Sequence, residues 1–216
     1  MTAPTPADVA RDLLRIGAVA LRPGRPFTWA SGRLSPVYTD NRLTLSHPDV
    51  RARLVDGFGA LARALDGVEA VAGTATAGIP HATLLADRLG LPLSYVRASA
   101  KGHGKGNRIE GRVDSGQRVV VVEDLVSTGG SVLDAAAALR GAGAEPVAVL
   151  AVFTYGFPEA DRAFEEAGLP LRTLTDFETL ARVAQEEGAL GGDGWDALQA
   201  WRADPAEWSR QRGGAA

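Results

Sequence analysis

The chain of 216 residues contains no cysteine, which excludes disulfide bonds, thiolate zinc sites and a thiol nucleophile, and makes a cytoplasmic location the expectation. A net charge of −3 leaves no basic excess, so we expect no nucleic-acid partner. No apolar run approaches the roughly 20 residues of a membrane helix, so we expect no membrane partner. The start, MTAPTPADVARDLL, lacks the basic region and apolar core of a secretion signal.

What the sequence does contain is a repeated alternation of short apolar runs and helical stretches. Strands are predicted at 69–72, 93–97, 118–122, 146–154 and 171–174. Helices are predicted between the first four of them, at 80–89 and 132–139, and before the first, at 48–65. Such alternation predicts an α/β fold in which a mainly parallel sheet carries helices on both faces.

The two ends and one internal segment differ from this alternation. Apolar residues at helical spacing predict a helix at 6–19, and extended segments joined by a turn are predicted over 27–45. Residues 98–116 are rich in glycine and charge, which predicts a mobile surface loop. After the last strand, two more helices are predicted before residue 212.

The strongest functional signal is the stretch 119–131, which reads VVVVEDLVSTGGS. Val119–Val122 is typical of a strand buried on both faces of a parallel sheet. Glu123 and Asp124 follow, and we expect both at the open end of the strand, outside the core. The small residues after them lead directly into a helix, where inward-pointing N–H groups and the helix dipole attract phosphate. Carboxylates beside such a cradle accept hydrogen bonds from sugar hydroxyls, so the stretch predicts a site for a phosphorylated ribose.

Other interpretations of this stretch are less favourable. It has no Gly-x-x-x-x-Gly-Lys-Ser/Thr, and its glycines are adjacent and follow the acids, which excludes a Walker A loop and a dinucleotide fingerprint. An ordinary strand–helix turn, with Glu123 or Asp124 as the helix cap, is the plainest alternative. The agreement of all thirteen residues favours the phosphate site.

The same thirteen residues resemble the signature for phosphoribosyl diphosphate (PRPP) of type I phosphoribosyltransferases. Three further segments are similar to the orotate phosphoribosyltransferases of that family: 27–38 to their N-terminal hood, 73–82 to their diphosphate loop, and 95–104 to their flexible catalytic loop. The resemblance spans nearly the whole chain. It implies the type I fold as one domain, 1–216, with an N-terminal helix and hood (1–45), an α/β core (46–175) and C-terminal helices (176–216).

The resemblance also implies an activity. The enzyme would transfer the ribose 5-phosphate group of PRPP to orotate, giving orotidine 5′-monophosphate and diphosphate in pyrimidine biosynthesis. Mg²⁺ is the implied cofactor, with no direct protein ligand and with Glu123 and Asp124 acting through water or the ribose hydroxyls. A homodimer is implied as well, in which the loop 98–111 completes the partner's site.

Individual residues acquire roles from the same resemblance. Arg97, Lys101 and His103 are the implied catalytic residues, and they also bind PRPP. The remaining implied PRPP contacts are Glu123, Asp124, Leu125, Val126, Ser127, Thr128, Gly129, Gly130 and Ser131. Ser127, Ser31 and Arg33 are the implied contacts to orotate.

Four positions depart from the family pattern. Ala30, Ala77 and Ala98 stand where many members have lysine, and Tyr155 stands where some have the arginine that holds the substrate carboxylate. The group that pairs the orotate carboxylate is therefore open, with Arg33 and the backbone N–H groups of 31–35 as candidates.

Two other functions compete with this assignment. A purine phosphoribosyltransferase would use the same chemistry on another base, but the hood motif at 27–38 argues against it. A PRPP-sensing transcriptional regulator would use the same fold without catalysis. Such regulators usually add a DNA-binding domain and a basic surface, and this sequence has neither.

Overall fold

The computed structural model describes residues 3–29, 31–99 and 108–215. The helices are α1 Pro6–Arg15, α2 Pro48–Arg63, α3 Gly78–Leu89, α4 Gly130–Gly141, α5 Pro158–Glu166, α6 Phe177–Glu186, α7 Gly192–Ala203 and α8 Pro205–Arg210. The strands are β1 Val19–Leu21, β2 Phe27–Thr28, β3 Leu34–Ser35, β4 Val37–Thr39, β5 Ala70–Thr74, β6 Leu93–Val96, β7 Ile109–Glu110, β8 Arg118–Val126, β9 Glu145–Thr154 and β10 Leu171–Asp176. A 3₁₀ helix spans Asn41–Ser46.

Six strands form the central sheet, in the order β10-β9-β8-β5-β6-β7. Every neighbouring pair is parallel except β6 and β7, which are antiparallel. The predicted α/β fold with a mainly parallel sheet is thus confirmed. Because ligands of such sheets bind beyond the carboxyl ends of the strands, the end of the central strand β8 is the place to look for a site.

The valine run at the start of β8 packs against both faces of the sheet. Val120 and Val122 belong to the core beneath α1, α2, α3, α6 and α7. Val119 and Val121 belong to the core beneath α4 and α5. All four are fully buried, as the unbroken β-branched run predicted, because successive side chains of a strand point to opposite faces.

The N-terminal residues outside the sheet form two small antiparallel pairs. Strand β1 pairs with β4, and β2 pairs with β3 through the turn at 29–33. Trp29 packs edge-on against the fully buried Trp201 of α7, with ring centroids 6.2 Å apart. The predicted hood segment therefore rests on a C-terminal helix.

Several predicted boundaries were wrong. The first helix ends at Arg15, because Gly17 adopts φ +72° and the chain reverses into β1. Ile109 and Glu110, predicted within a loop, form an edge strand. Three helices follow β10 instead of two, since Asp204 caps α8 and Pro205 begins it. Within the described residues, no helix combines the length and apolar composition needed to cross a membrane.

Candidate active site

The two acids of the signature lie within β8 and not beyond it. Strand β5 pairs with β8 only as far as Gly73 and Val122, whereas β9 accompanies it to Val126. The predicted strand end at residue 122 was therefore four residues short. Glu123 and Asp124 lie where one neighbouring strand has ended and the other continues, which opens one side of β8 at this point.

Glu123 and Asp124 have different environments. Glu123 is only 8% exposed, so the expectation that both acids lie outside the core is wrong for this residue. Burial is the main cause that raises the pKa of Glu123 to about 8, and the neighbouring Asp124 carboxyl adds to it. The backbone N–H of Asp124 donates to Glu123 Oε1 at 2.9 Å and partly opposes the shift. Glu123 is therefore mostly protonated at neutral pH, and Asp124 is partly exposed.

The turn after β8 leads into α4 through a glycine that only glycine can supply. Gly129 is the N-cap residue, with φ +85°, and a Cβ there would lie 2.8 Å from the Phe164 ring. No side chain caps the helix, so the alternative with Glu123 or Asp124 as helix cap is wrong. The N-terminus of α4 thus presents backbone N–H groups without a side-chain acceptor, as an anion site requires.

A second helix N-terminus lies on the side of β8 that β5 vacates. Helix α3 begins at Gly78 after the loop 73–77, and again no side chain caps it. A Cβ on Gly78 would lie 2.4 Å from the carbonyl oxygen of Val122 and 2.5 Å from Thr74 Oγ1. The Thr74 hydroxyl itself donates to that carbonyl at 3.1 Å. The loop therefore packs directly on β8 just before Glu123, and the peptide bond between Ala75 and Thr76 is cis.

Two buried polar side chains beside Asp124 were not singled out from the sequence. Asn41 is 1% exposed and donates from Nδ2 to the Asp124 carbonyl at 2.7 Å. His81, one turn into α3, is also buried, and burial lowers its pKa while the charge of Asp124 opposes the shift. Asn41 Oδ1 and both ring nitrogens of His81 have no hydrogen-bond partner among the described residues. The only sequence signal was their position after a short strand and after a glycine-rich loop.

Tyr155 stands directly after β9, next to the end of β8. Its N–H donates to the Val126 carbonyl at 3.2 Å, and its hydroxyl donates to Thr39 Oγ1 at 3.0 Å. Burial raises its pKa to about 12, so the side chain is neutral. The ring packs on Trp29 and Trp201. This position therefore supplies an aromatic surface and no cation.

Ser31 and Arg33 lie in the turn between β2 and β3, which we call the hood turn (residues 29–34). Gly32 N–H donates to the Trp29 carbonyl at 2.8 Å, and Leu34 N–H donates to Ser209 Oγ at 2.9 Å. Arg33 N–H points to Ser31 Oγ at 3.4 Å. Among the candidate backbone donors for the orotate carboxylate, those of Gly32 and Leu34 are already engaged within the chain.

The base of the predicted catalytic loop is anchored on both sides. Arg97 N–H donates to the Arg108 carbonyl at 2.8 Å, and the Arg108 guanidinium binds both oxygens of Asp134 on α4 at 3.1 and 2.5 Å. The Arg97 guanidinium lies 3.6 Å from Glu110. Lys101 and His103, the other two predicted catalytic residues, lie outside the described residues.

Comparisons with known proteins agree with this geometry. Residues 60–168 match the family model for the phosphoribosyl transferase domain. The chain is 56% identical over 198 residues to the orotate phosphoribosyltransferase of Bacillus subtilis (strain 168), with 91% of this chain and 92% of that protein covered.

Solved structures are similar as well. The orotate phosphoribosyltransferase of Aeropyrum pernix is 34% identical with a TM-score of 0.70, covering 85% of this chain and 99% of that one. The Mycobacterium tuberculosis H37Rv enzyme in complex with PRPP is 30% identical with a TM-score of 0.65, covering 82% and 99%.

Proposed function

This chain belongs to the orotate phosphoribosyltransferase family, and from that premise we propose how its residues carry out the reaction. The enzyme transfers the ribose 5-phosphate group of PRPP to orotate, giving orotidine 5′-monophosphate and diphosphate, a step of pyrimidine biosynthesis. One observation carries the assignment of residues. The adjacent acids Glu123 and Asp124 lie on β8 between two helix N-termini, those of α3 and α4, neither of which has a side-chain cap.

The 5′-phosphate of PRPP binds at the turn 127–131. The N–H groups of this turn and of the first turn of α4 donate to the phosphate oxygens, and the helix dipole adds favourable potential. Small residues support this role because they let the backbone approach the anion. The hydroxyl of Ser127, at the start of the turn, contacts the base.

The ribose binds at the two acids. Asp124, as a carboxylate, accepts hydrogen bonds from the 2′- and 3′-hydroxyls, and Glu123, which holds a proton at neutral pH, can also donate one. Departure of the diphosphate builds positive charge on the sugar, and the negative charge of Asp124 beside it stabilises that state. Removing such a charged contact costs about 2–4 kcal/mol of transition-state stabilisation.

The diphosphate binds at the N-terminus of α3 and at the catalytic loop. Loop 73–77 and the dipole of α3 receive part of its charge, and Arg97, Lys101 and His103 stabilise the rest as it departs. Orotate is already anionic, so its attack on C1 of the ribose needs little proton transfer. Catalysis therefore comes from positioning and from electrostatic stabilisation of the leaving group.

Magnesium is the proposed cofactor, and the residues at the site fit one that the substrate itself largely coordinates. Among residues 3–29, 31–99 and 108–215, no three acidic or histidine side chains come together as a metal site. Asp124 can hold a hydrated ion through water, which suits Mg²⁺ because it retains several waters and binds substrate phosphates. When bound, the ion neutralises negative charge on the diphosphate.

We propose a homodimer as the working form, in which the loop 98–111 of one subunit completes the site of its partner. The support is the family resemblance of 95–104, together with the prevalence of twofold dimers among oligomers. Tyr38 and Leu43, 44% and 41% exposed, provide apolar surface near the hood that suits such a contact.

Turnover of orotate with PRPP, followed with and without Mg²⁺, tests the function directly. We expect formation of orotidine 5′-monophosphate only when the metal is present, and no product from adenine or xanthine under the same conditions. Glu123→Gln combined with Asp124→Asn tests the site: PRPP affinity should fall while the circular dichroism spectrum stays the same. Unchanged PRPP affinity would exclude the two acids as ribose ligands.

A further inference from the structure

We propose that Ser209 is a positioning residue for the orotate side of the site, where it and the C-terminal tail (residues 211–215) hold the hood turn in place. The inference rests on the proposed function, which assigns Ser31 and Arg33 of that turn to orotate. It concerns a part of the chain to which the sequence motifs give no role, since the tail lies beyond every segment that resembles the family signatures.

Ser209 joins the hood turn to the tail with one hydroxyl. Its side chain is fully buried, accepts a hydrogen bond from Leu34 N–H at 2.9 Å and donates one to the Ala215 carbonyl at 2.5 Å. A hydroxyl can do both at once because it has one proton and two lone pairs. Alanine at this position would leave a buried N–H and a carbonyl without their partner.

The tail adds contacts of its own to the same turn. Ala215 N–H donates to the Gly32 carbonyl at 3.0 Å, and Gly214 N–H donates to the Ser209 carbonyl at 3.0 Å. A Cβ on Gly214 would lie 2.6 Å from Ser209 Oγ and 2.7 Å from Leu34 Cγ. Only glycine at 214 therefore lets the tail lie this close to the turn.

The other side of the hood turn faces the end of the central sheet. Trp29 packs on Tyr155 with ring centroids 6.3 Å apart, and Tyr155 N–H is bonded to the Val126 carbonyl, directly before the proposed phosphate turn. The hood turn is thus held between the tail and an aromatic platform beside the PRPP site. Without the tail, only the platform and the short β2–β3 pairing would define where Ser31 and Arg33 lie relative to the ribose.

This arrangement predicts a selective effect on one substrate. The proposed PRPP contacts lie on β8, α3, α4 and the catalytic loop, whereas the tail touches the hood turn. Loosening the tail should therefore weaken orotate use and leave PRPP binding unchanged, because small displacements of positioning groups reduce productive binding of the group they position. A purely structural role would instead lower stability and affect both substrates together.

The experiment compares Ser209→Ala, Gly214→Ala and a chain ending at Arg212 with two controls, Gln211→Ala and Gly191→Ala. Gln211 is exposed and bonds only to Glu207 on its own helix, and a Cβ on Gly191 meets nothing within 4 Å. For each variant we would measure KM for orotate, KM for PRPP, kcat, the dissociation constant for PRPP and the melting temperature.

We expect KM for orotate to rise about tenfold in the three tail variants, the effect of losing roughly one buried hydrogen bond, with PRPP affinity and both controls unchanged. If the KM values for the two substrates rise together, or if only the melting temperature falls, the inference is wrong. The chain ending at Arg212 removes no core residue, so it decides the question should Ser209→Ala fail to fold. A wild-type enzyme that does not use orotate would refute the proposed function, whereas an active wild type with unaltered tail variants would refute this inference alone.

Discussion

At the scale of single residues, the site depends on how neighbours of like chemistry are made different. Glu123 and Asp124 are adjacent carboxylic acids, yet the first is buried beneath loop 73–77 and holds a proton, and the second is partly exposed. The pair can therefore offer a donor and an acceptor to a sugar diol. Two ionised carboxylates at this position could only accept.

The raised pKa of Glu123 predicts a pH-dependent stability. Unfolded, this carboxyl loses its proton near pH 4.5, but in the folded chain it holds the proton to about pH 8. The unfolded state binds fewer protons between these values, so the free energy of unfolding should fall as pH rises through this window. Glu123→Gln should remove this part of the decline, on the order of 2–4 kcal/mol.

Urea denaturation at pH 5, 6.5 and 8 would measure this effect, since the slope with pH reports the difference in bound protons. Glu166→Gln, at an exposed position, is the matched control and should keep the wild-type slope. Equal slopes in wild type and Glu123→Gln would mean that Glu123 ionises normally in the folded protein.

Asn41 gives a second prediction at this scale, because its amide holds the backbone carbonyl of Asp124. Asn41→Ala removes that bond and should cost about 1–3 kcal/mol of stability. Asn41→Asp replaces a donor with a negative charge beside Asp124, so PRPP affinity should decrease from wild type to Ala to Asp. Calorimetric titration with PRPP would rank the three proteins, and wild-type affinity in Asn41→Asp would refute the role.

At the scale of elements, the site exists because neighbouring strands end at different points. Strand β5 ends at Thr74 while β8 and β9 continue side by side to Val126 and Thr154, and α3 fills part of the space that β5 leaves. The close approach of α3 to β8 depends on Gly78, where no Cβ fits.

Gly78→Ala should therefore displace the start of α3 from β8. The added Cβ meets a backbone carbonyl at 2.4 Å, so the backbone itself must shift, at a stability cost of about 1–3 kcal/mol. Because the N-terminus of α3 is the proposed diphosphate site, we expect PRPP affinity to fall as well. Gly141→Ala, which ends a helix in open space, is the matched control and should change neither quantity. Normal PRPP binding by Gly78→Ala would separate this loop from the diphosphate.

At the scale of the whole molecule, the proposed dimer gives a complementation test. Lys101→Ala and Asp124→Asn should each be nearly inactive, because the first lacks a loop cation and the second lacks a ribose ligand. If the loop serves the partner's site, a mixed dimer contains one site with both defects and one with neither. Activity should then recover to about half the wild-type value per heterodimer.

Native mass spectrometry would establish that the subunits of the two variants have exchanged. Exchange without any recovery of activity would mean that the loop serves its own subunit. Mixing Lys101→Ala with itself after the same treatment is the control, since it contains no intact site in either arrangement.

The sequence by itself determined those features that contiguous residues encode. Val119–Val122 predicts a strand buried on both faces, since its side chains alternate at period two, and the small residues at 127–131 predict an anion site because a helix follows at once. The order of strands and helices likewise predicts the mainly parallel sheet. Each of these depends on local pattern, which a single sequence displays.

Only the tertiary structure decided which distant groups meet. The proton on Glu123 depends on burial, Asn41 reaches Asp124 across 83 positions, and Ser209 reaches Leu34 across 175. The extension of β8 to Val126 likewise required the pairing with β9, which no property of residues 123–126 alone specifies. Such contacts arise from the packing of whole elements, and their energies depend on burial and geometry that local propensity does not contain.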